Sequence, residues 1–182
     1  MARMRKNIVV GVCAGISSYK SCYLVSLLRK ENFSVKVVMT PNALHFVTPL
    51  VFETLSANPV YVDMFEREHL THISLAEWCD LGVIAPLTAN TLSKIALGIS
   101  DNLLTTFICA LPPHKRIILV PAMNENMWKN SIIQKNLKEL KRLKRFVILE
   151  PKRGRLACRK HGVGRMAEPE EILAKIKAIL KE

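Results

Sequence analysis

Apolar positions recur along this chain with two different spacings, and the two kinds of segment follow one another. Short β-branched runs are typical of buried parallel strands, which are apolar on both faces. Stretches with apolar residues three or four positions apart are typical of amphipathic helices. The runs predict strands at 8–13, 33–39, 60–61, 81–85, 116–120 and 146–149, of which the fourth and fifth should end at prolines. The helical spacing predicts helices at 17–31, 42–57 with a break at Pro49, 88–97, 101–110, 126–143 and 168–180.

This alternation predicts the α/β class, with a three-layer, Rossmann-like (flavodoxin-like) parallel sheet covered by helices on both faces. A chain of 182 residues suits one domain with a sizeable core, so we expect a single domain over 1–182. Residues 150–167 are expected to form a basic loop that contains glycine. Ligands of such sheets bind beyond the carboxyl ends of the strands. The segments that follow the strands should therefore line one cleft.

Charge is unevenly distributed along the chain. There are 27 basic and 15 acidic residues, and the segment after Thr91 holds 19 of the basic and eight of the acidic ones. Such an excess favours an anionic partner, which could be nucleic acid, a phosphorylated small molecule or an acidic lipid surface. A solvated, lysine-rich surface equally explains the part around KELKRLKR. Aromatic residues make up only 6% and no recognition motif is present, which argues against nucleic acid.

Hydropathy and cysteine content bear on the compartment. No apolar run reaches the roughly 18 residues that a membrane-spanning helix needs. The short apolar stretch near the N-terminus leads into a glycine turn, so it does not predict a signal peptide. The five cysteines include no CxxC pair, so neither a disulfide framework nor a metal site is expected. We therefore expect a cytoplasmic protein with no membrane partner.

Several strand-end segments carry candidate binding groups. The stretch VVGVCAGISSYK lacks a dinucleotide or P-loop fingerprint, but its small residues would let a phosphate approach a helix N-terminus. A second cluster of small polar residues, at Thr88, Asn90 and Thr91, could bind a ligand in the same way. Helix capping explains this cluster and the VVGVCAGISSYK stretch equally well. Asn124 in PAMNENMW has an amide that can donate to a carboxylate. Cys158 lies among cations, which are the surroundings typical of reactive cysteines.

Five stretches of the sequence together resemble the homo-oligomeric flavin-containing cysteine decarboxylases. They are GISSYK, HISLAEWCD, IAPLTANTLSKIALGISDNLL, PAMNENMW and LACRKHGVGRMAEP, of which the last two are the most specific. The likeness runs from about residue 7 to the end and is greatest to the members that act on phosphopantothenoylcysteine in coenzyme A biosynthesis. The chain departs from the family at Ala14-Gly15, where Gly-Ser is usual, and at CRKHG, where many relatives have an acidic residue after the cysteine.

The resemblance implies FMN-dependent decarboxylation of 4′-phosphopantothenoylcysteine to 4′-phosphopantetheine. Loss of CO2 leaves a carbanion that a thiol side chain cannot stabilise, whereas a neighbouring C=S bond can. Forming that bond removes a hydride, which no side chain accepts, so a flavin is needed. The resemblance implies His72 as the acid–base residue, although a lone histidine is more often structural. It further implies Asn124 as the ligand of the substrate carboxylate and Cys158 as a proton donor.

The resemblance also implies the contacts of the cofactor and substrate. FMN contacts are expected at Ala14, Gly15, Ile16, Ser17, Thr40, Asn42, Thr88, Asn90, Thr91 and Ala122. Substrate contacts are expected at Asn124, Met127, Lys152, Arg153, Arg155 and Arg165. The last four belong to a flap at about 150–167 whose cations could meet the substrate phosphate. The family implies a homotrimer, or four trimers as a dodecamer, with FMN at the subunit boundary.

Three other functions stay open. A peptidyl-cysteine decarboxylase of the same family would not need a cationic flap. A flavin prenyltransferase would lack a flap that contains Cys158. A non-catalytic regulatory subunit would have no need of His72, Asn124 and Cys158 together.

Overall fold

A computed structural model describes residues 5–65 and 70–181, which form eight strands and eight α-helices. Six strands build a parallel sheet in the order β3-β2-β1-β4-β5-β6, so the predicted three-layer, Rossmann-like fold class is confirmed. The chain runs outward in one direction from β1 and then in the other from β4, which creates a crevice between these two strands. The strands are Asn7–Val12 (β1), Ser34–Met39 (β2), Val60–Tyr61 (β3), Leu81–Leu87 (β4), Arg116–Pro121 (β5) and Phe146–Ile148 (β6).

The helices cover both faces of the sheet, because successive strand residues point to opposite sides. One apolar core joins α1, α2 and α8 to the face that includes Val10, and the other joins α3, α4, α5 and α7 to the face that includes Val9. The helices are Ser18–Lys30 (α1), Pro49–Ser56 (α2), Thr71–Trp78 (α3), Ala89–Leu97 (α4), Leu103–Ala110 (α5), Glu125–Lys129 (α6), Ser131–Arg142 (α7) and Pro169–Ile179 (α8). Among the described residues, no helix combines the length and apolar character needed to cross a membrane.

Two predicted boundaries are wrong for local reasons. Strand β4 does not end at Pro86 but continues to Leu87, because a register shift after Ile84 accommodates the residue that has no N–H to donate. The helix predicted at 126–143 is divided into α6 and α7 at Asn130. The Asn130 side chain accepts hydrogen bonds from the backbone N–H groups of Ile132 and Ile133, so it caps a new helix.

Two other segments also differ from the prediction. Helix α3 was not predicted, whereas the break expected at Pro49 separates a short 3-10 helix, Pro41–His45, from α2. The expected loop at 150–167 contains an antiparallel hairpin, Lys152–Arg155 (β7) with His161–Arg165 (β8). Gly154 and Gly162 pair across it, and their missing side chains leave room for Arg165 and Glu125 to lie against the strands. Glycine, read as a loop signal, here permits close packing.

Candidate active site

Two adjoining cavities open beside the carboxyl ends of β1, β2, β4 and β5. The larger has a volume of about 810 Å³ and the smaller about 420 Å³. Ala14, Thr88, Ala89 and Met127 line both of them, so the two spaces share one wall. Each of the two spaces is of the size that a cofactor or substrate pocket has.

All ten residues expected to contact FMN line one cavity or the other. The larger cavity is lined by Ala14, Gly15, Ile16, Ser17, Thr88 and Ala122, and the smaller by Ala14, Thr40, Asn42, Thr88, Asn90 and Thr91. They come from four loops that are far apart in the sequence and meet because parallel strands end at the same edge of the sheet.

The loop between β1 and α1 has the features of an anion cradle. The Ser18 hydroxyl donates to the carbonyls of Cys13 (3.0 Å) and Gly15 (2.6 Å). These hydrogen bonds hold the backbone of the loop between β1 and α1 in place. Ser17, the N-cap of α1, makes no capping hydrogen bond through its side chain. Apart from Gly15 and its two chain neighbours, no atom of the described residues lies within 4 Å of where a Cβ of Gly15 would be, so the loop backbone is open to a ligand. A phosphate fits here, at the positive end of a helix of 13 residues.

Thr88 fixes the second loop of the cradle. Its hydroxyl oxygen accepts from the backbone N–H of Thr91 (3.3 Å) and thereby caps α4. The Cys13 thiol lies fully buried beside these two threonines. Burial raises the pKa of Cys13, and the hydrogen bond with Thr91 opposes that rise. Cys13 is therefore a protonated core thiol, as its apolar surroundings predict.

Asn124 and Cys158 face each other at the larger cavity. Asn124 is the N-cap of α6, and its Oδ1 accepts from the backbone N–H of Asn126 at 2.8 Å. Since Oδ1 is occupied in this way, the amide presents its N–H2 group, and Nδ2 lies 3.8 Å from Sγ of Cys158. A hydrogen-bond donor for an anion and a thiol able to give a proton thus lie side by side.

The hairpin is attached directly to the segment that carries Asn124. The backbone N–H of Met123 donates to the carbonyl of Gly164 (3.0 Å), and that of Val163 donates to Oε1 of Glu125 (3.4 Å). Lys129 and the Val163 N–H hold the pKa of Glu125 below its usual range. Glu125 was not among the residues predicted from the sequence, although it directly follows Asn124 in the PAMNENMW motif.

The cations expected at the substrate separate into two groups. Arg155 and Arg165 line the larger cavity, as do Met127 and Asn124. Lys152 is instead paired with Glu171 (2.5 Å), and neither Lys152 nor Arg153 is among the described residues that line the two cavities.

Two further cations line the larger cavity: Arg159, which belongs to the expected cationic flap, and Lys20, which was not expected there. Arg159 directly follows Cys158, and its φ of 65° places it in the left-handed region. Lys20 belongs to the GISSYK motif, so a signal for it was present in the sequence.

His72 is not brought together with Asn124 and Cys158 within one chain. It is half-buried on α3 and is absent from the described lining of both cavities. Its Nδ1 is buried and has no hydrogen-bond partner in the described part of the chain. Beside it, Leu70 is 60% exposed and Ile73 is 37% exposed. This surface has the apolar character of an interaction site.

Comparison with known proteins adds the family context. Residues 2–181 match the model of a family described as Flavoprotein. The bifunctional coenzyme A biosynthesis protein CoaBC of Borreliella burgdorferi is 42% identical over 179 residues, which are 97% of this chain and 44% of that protein. A probable phosphopantothenoylcysteine decarboxylase of Streptococcus mutans is 38% identical, over 95% of this chain and 98% of that protein. This chain thus spans less than half the length of the CoaBC relatives but nearly all of the second one.

Solved structures show the same fold. A mutant PPC decarboxylase complexed with pantothenoylaminoethenethiol has a TM-score of 0.88 and 31% identity, over 98% of this chain and all of the other. The FMN binding protein AtHal3 has a TM-score of 0.83 and 33% identity, over 98% of each chain.

Proposed function

This chain belongs to the Flavoprotein family, and from that membership and the site geometry we propose that it is an FMN-dependent decarboxylase of phosphopantothenoylcysteine. The observation that carries the proposal is the pairing of the Asn124 amide with the Cys158 thiol, beside two adjoining cavities that the expected FMN-contacting loops line between them. The names of the relatives support the same reaction, a step of coenzyme A biosynthesis. We also propose a cytoplasmic location, which is consistent with a step of coenzyme A biosynthesis.

The residues present fit FMN. The N-terminus of α1 and the open backbone at Gly15 suit the single phosphate of FMN, and the hydroxyls and amides of the smaller cavity suit its polar groups. When bound, FMN would accept the hydride whose removal from the substrate leaves the C=S bond, and would later return that hydride.

The side chains of the protein do the rest of the chemistry. The N–H2 group of Asn124 binds the substrate carboxylate, because its oxygen is held by α6 and only the donor side faces outward. As CO2 leaves, the neighbouring C=S bond takes up the electron pair on its sulfur, and the product at this stage is an ene-thiolate. Cys158 then gives a proton to the carbon that lost CO2. His72 takes up the proton of the substrate thiol when that thiol is oxidised.

We further propose that the active site is completed by assembly of the chain into a trimer. Within one copy His72 is absent from the described lining of the cavities, and its Nδ1 has no partner among residues 5–65 and 70–181. It also stands beside exposed apolar side chains. A cyclic trimer repeats one head-to-tail interface, so the same surface of each copy would serve the cavity of the next. Four such trimers would give a dodecamer.

The reaction and its cofactor are tested together on the purified protein. We expect a visible spectrum of bound flavin, uptake of FMN in preference to FAD, and release of CO2 with formation of 4′-phosphopantetheine. A colourless protein that takes up no FMN on titration would contradict the cofactor. A coloured protein that acts on a cysteine-terminated peptide but not on phosphopantothenoylcysteine would favour the peptidyl-cysteine reaction.

Sharing of the site is tested by mixing two inactive variants, His72→Asn and Cys158→Ser, in one assembly. If each site takes His72 from one copy and Cys158 from another, random mixing restores about a quarter of the sites. If both residues act from the same copy, no site is restored. Light scattering on the mixture gives the number of copies.

A further inference from the structure

The larger cavity has an ion cluster that the chemistry above does not use. Nζ of Lys20 on α1 lies 2.8 Å and 2.7 Å from the two carboxylate oxygens of Glu168. Arg165, at the end of β8, donates to the same carboxylate from Nη2 at 3.0 Å. Both cations line the cavity, and the Lys20 side chain is only 14% exposed. A lysine held this far from solvent beside a cavity has a defined position.

The cluster holds more positive than negative charge. One carboxylate is shared by two cations, whereas Lys152 and Lys94 each have a carboxylate of their own. A guanidinium has five N–H donors, and the described contact to Glu168 uses Nη2 alone. The remaining donors of Arg165 and the net positive charge suit a further anion. Lys20 also lies in the first turn of α1, where the helix dipole adds positive potential.

Glu168 and Gly154 fix the two cations in place. Glu168 is the N-cap of α8, and its backbone N–H donates to the carboxylate of Glu171 (3.1 Å), so the backbone that carries the Glu168 side chain is fixed at a helix terminus. Gly154 lies opposite, where a Cβ would come within 2.7 Å of Nη1 of Arg165. The guanidinium therefore packs across the missing side chain of β7. Such fixed geometry lowers the cost of ordering two long side chains when an anion binds.

The position of the cluster along the hairpin matches the length of the substrate. Arg165 pairs with Lys152 at the open end of the hairpin, whereas Cys158 lies in the turn beyond the pair Arg155–His161 at the closed end. From His161 to Arg165 a strand rises about 13 Å. Thirteen bonds separate the sulfur from the phosphorus of 4′-phosphopantetheine. An extended peptide spans about 3.5 Å for every three backbone bonds, so an extended chain of this length spans about 15 Å. A substrate that reacts at Cys158 can therefore extend its phosphate toward Arg165.

We propose that Lys20 and Arg165, aligned by Glu168, form the subsite for the terminal phosphate of the substrate. This assignment rests on the proposed function. It separates two groups of flap cations: Arg165 binds the distant phosphate, whereas Arg155 and Arg159 lie near the reacting end. It also gives the chain a means of preferring a phosphorylated pantothenoyl substrate over a peptide, which has no anion at that distance.

The test compares kcat/KM for phosphopantothenoylcysteine and for pantothenoylcysteine, which lacks only the phosphate. For Lys20→Gln and Arg165→Gln of the holoenzyme we expect a 10- to 100-fold loss on the phosphorylated substrate and little change on the other. Lys160→Gln, between β7 and β8 of the same hairpin, changes a cation that is not among the described lining residues of the two cavities, so it is the matched control and should keep the wild-type ratio. An equal loss on both substrates would make the cluster structural, and unchanged rates on both would also overturn the proposal.

Binding without turnover provides the second measurement. Calorimetric titration of the wild type should give tighter binding of 4′-phosphopantetheine than of pantetheine, and Arg165→Gln should abolish the difference. Arg165→Lys keeps the positive charge and should retain part of the difference in affinity. This variant therefore distinguishes the loss of charge from misfolding. Equal affinity of the wild type for both compounds would overturn the subsite. A wild type that distinguishes them but releases no CO2 from phosphopantothenoylcysteine would contradict the proposed reaction and leave the phosphate subsite standing.

Discussion

On the cofactor side of the larger cavity, the loop after β1 is held by the buried Ser18 hydroxyl, which donates to a backbone carbonyl. The loop after β4 is held by the Thr88 hydroxyl, which accepts from the backbone N–H of Thr91. On the opposite side, the hairpin is held by one backbone hydrogen bond to Met123 and by the carboxylates of Glu125, Glu168 and Glu171. The first side therefore depends on the apolar core beneath it, and the second depends on exposed charges that salt screens and acid neutralises. The two sides should respond to different perturbations.

The largest expected effect lies on the hairpin side, at Cys158. In Cys158→Ser the flavin stays bound and CO2 is still lost once, but a hydroxyl is a far poorer acid than a thiol. We expect at least a roughly 10²-fold loss of completed turnover and release of an ene-thiol, two hydrogens lighter than 4′-phosphopantetheine. Mass spectrometry distinguishes these products. Formation of only the fully reduced product would make Cys158 a packing residue of the flap.

Two glycine substitutions contrast the sides directly. A Cβ at Gly164 would collide with the carbonyl oxygen of Met123, whereas a Cβ at Gly15 meets nothing within 4 Å. Gly164→Ala should cost about 1–3 kcal/mol, because a backbone atom must move, and should detach the hairpin from α6. Gly15→Ala should leave the free energy of unfolding within about 1 kcal/mol. Hydrogen exchange of 161–165 checks the first variant, and unchanged exchange there would show that the hairpin is held elsewhere.

A smaller effect is expected for Thr88 on the cofactor side. Thr88→Val keeps the shape but removes the oxygen that accepts from the N–H of Thr91, so α4 loses its cap. We expect a loss of about 1 kcal/mol in the free energy of unfolding together with weaker retention of flavin. Thr88→Ser restores the acceptor and should recover both properties. Thermal unfolding and flavin titration report them separately, and an undisturbed variant would contradict the role of the cap.

The smallest effect is a dependence of the hairpin on acid. The pKa values of Glu125 and Glu171 are lowered, chiefly by hydrogen bonds from Lys129 and Lys152. A lowered pKa in the folded state means that the stabilisation is complete above the ordinary value of about 4.5 and is lost as the pH falls below it. Hydrogen exchange of 152–165, corrected for its intrinsic pH dependence, should therefore increase in this range before that of β1. Glu171→Gln should weaken the dependence, and a hairpin that opens only together with β1 would contradict it.

The sequence predicted the cofactor side better than the hairpin side. Strand ends such as Thr40 and Thr88 can be located from the period of apolar residues, and parallel topology then brings them together. The hairpin could not be located in this way, because its residues are exposed cations and glycines with no apolar period. Nor could the pairing of Lys20 with Arg165, since it depends on Glu168, a contact 148 positions from Lys20. The two wrong boundaries each depend on a single residue. Pro86 was expected to end β4 but lies within it, whereas Asn130 starts a new helix inside the predicted one.

Because the hairpin is exposed, limited proteolysis should report whether a ligand occupies the larger cavity. Lys152, Arg153, Arg155, Arg159 and Lys160 are all exposed on this narrow ribbon, and each is a cleavage site for trypsin. Cleavage needs the chain to detach locally and enter the protease in extended form. A ligand that bridges the hairpin and the sheet edge opposes that detachment, so its binding should slow cleavage in proportion to the fraction of sites filled. The cations that attract an anionic ligand are thus also the trypsin sites, and the fraction of chain left intact on a gel measures how much ligand is bound.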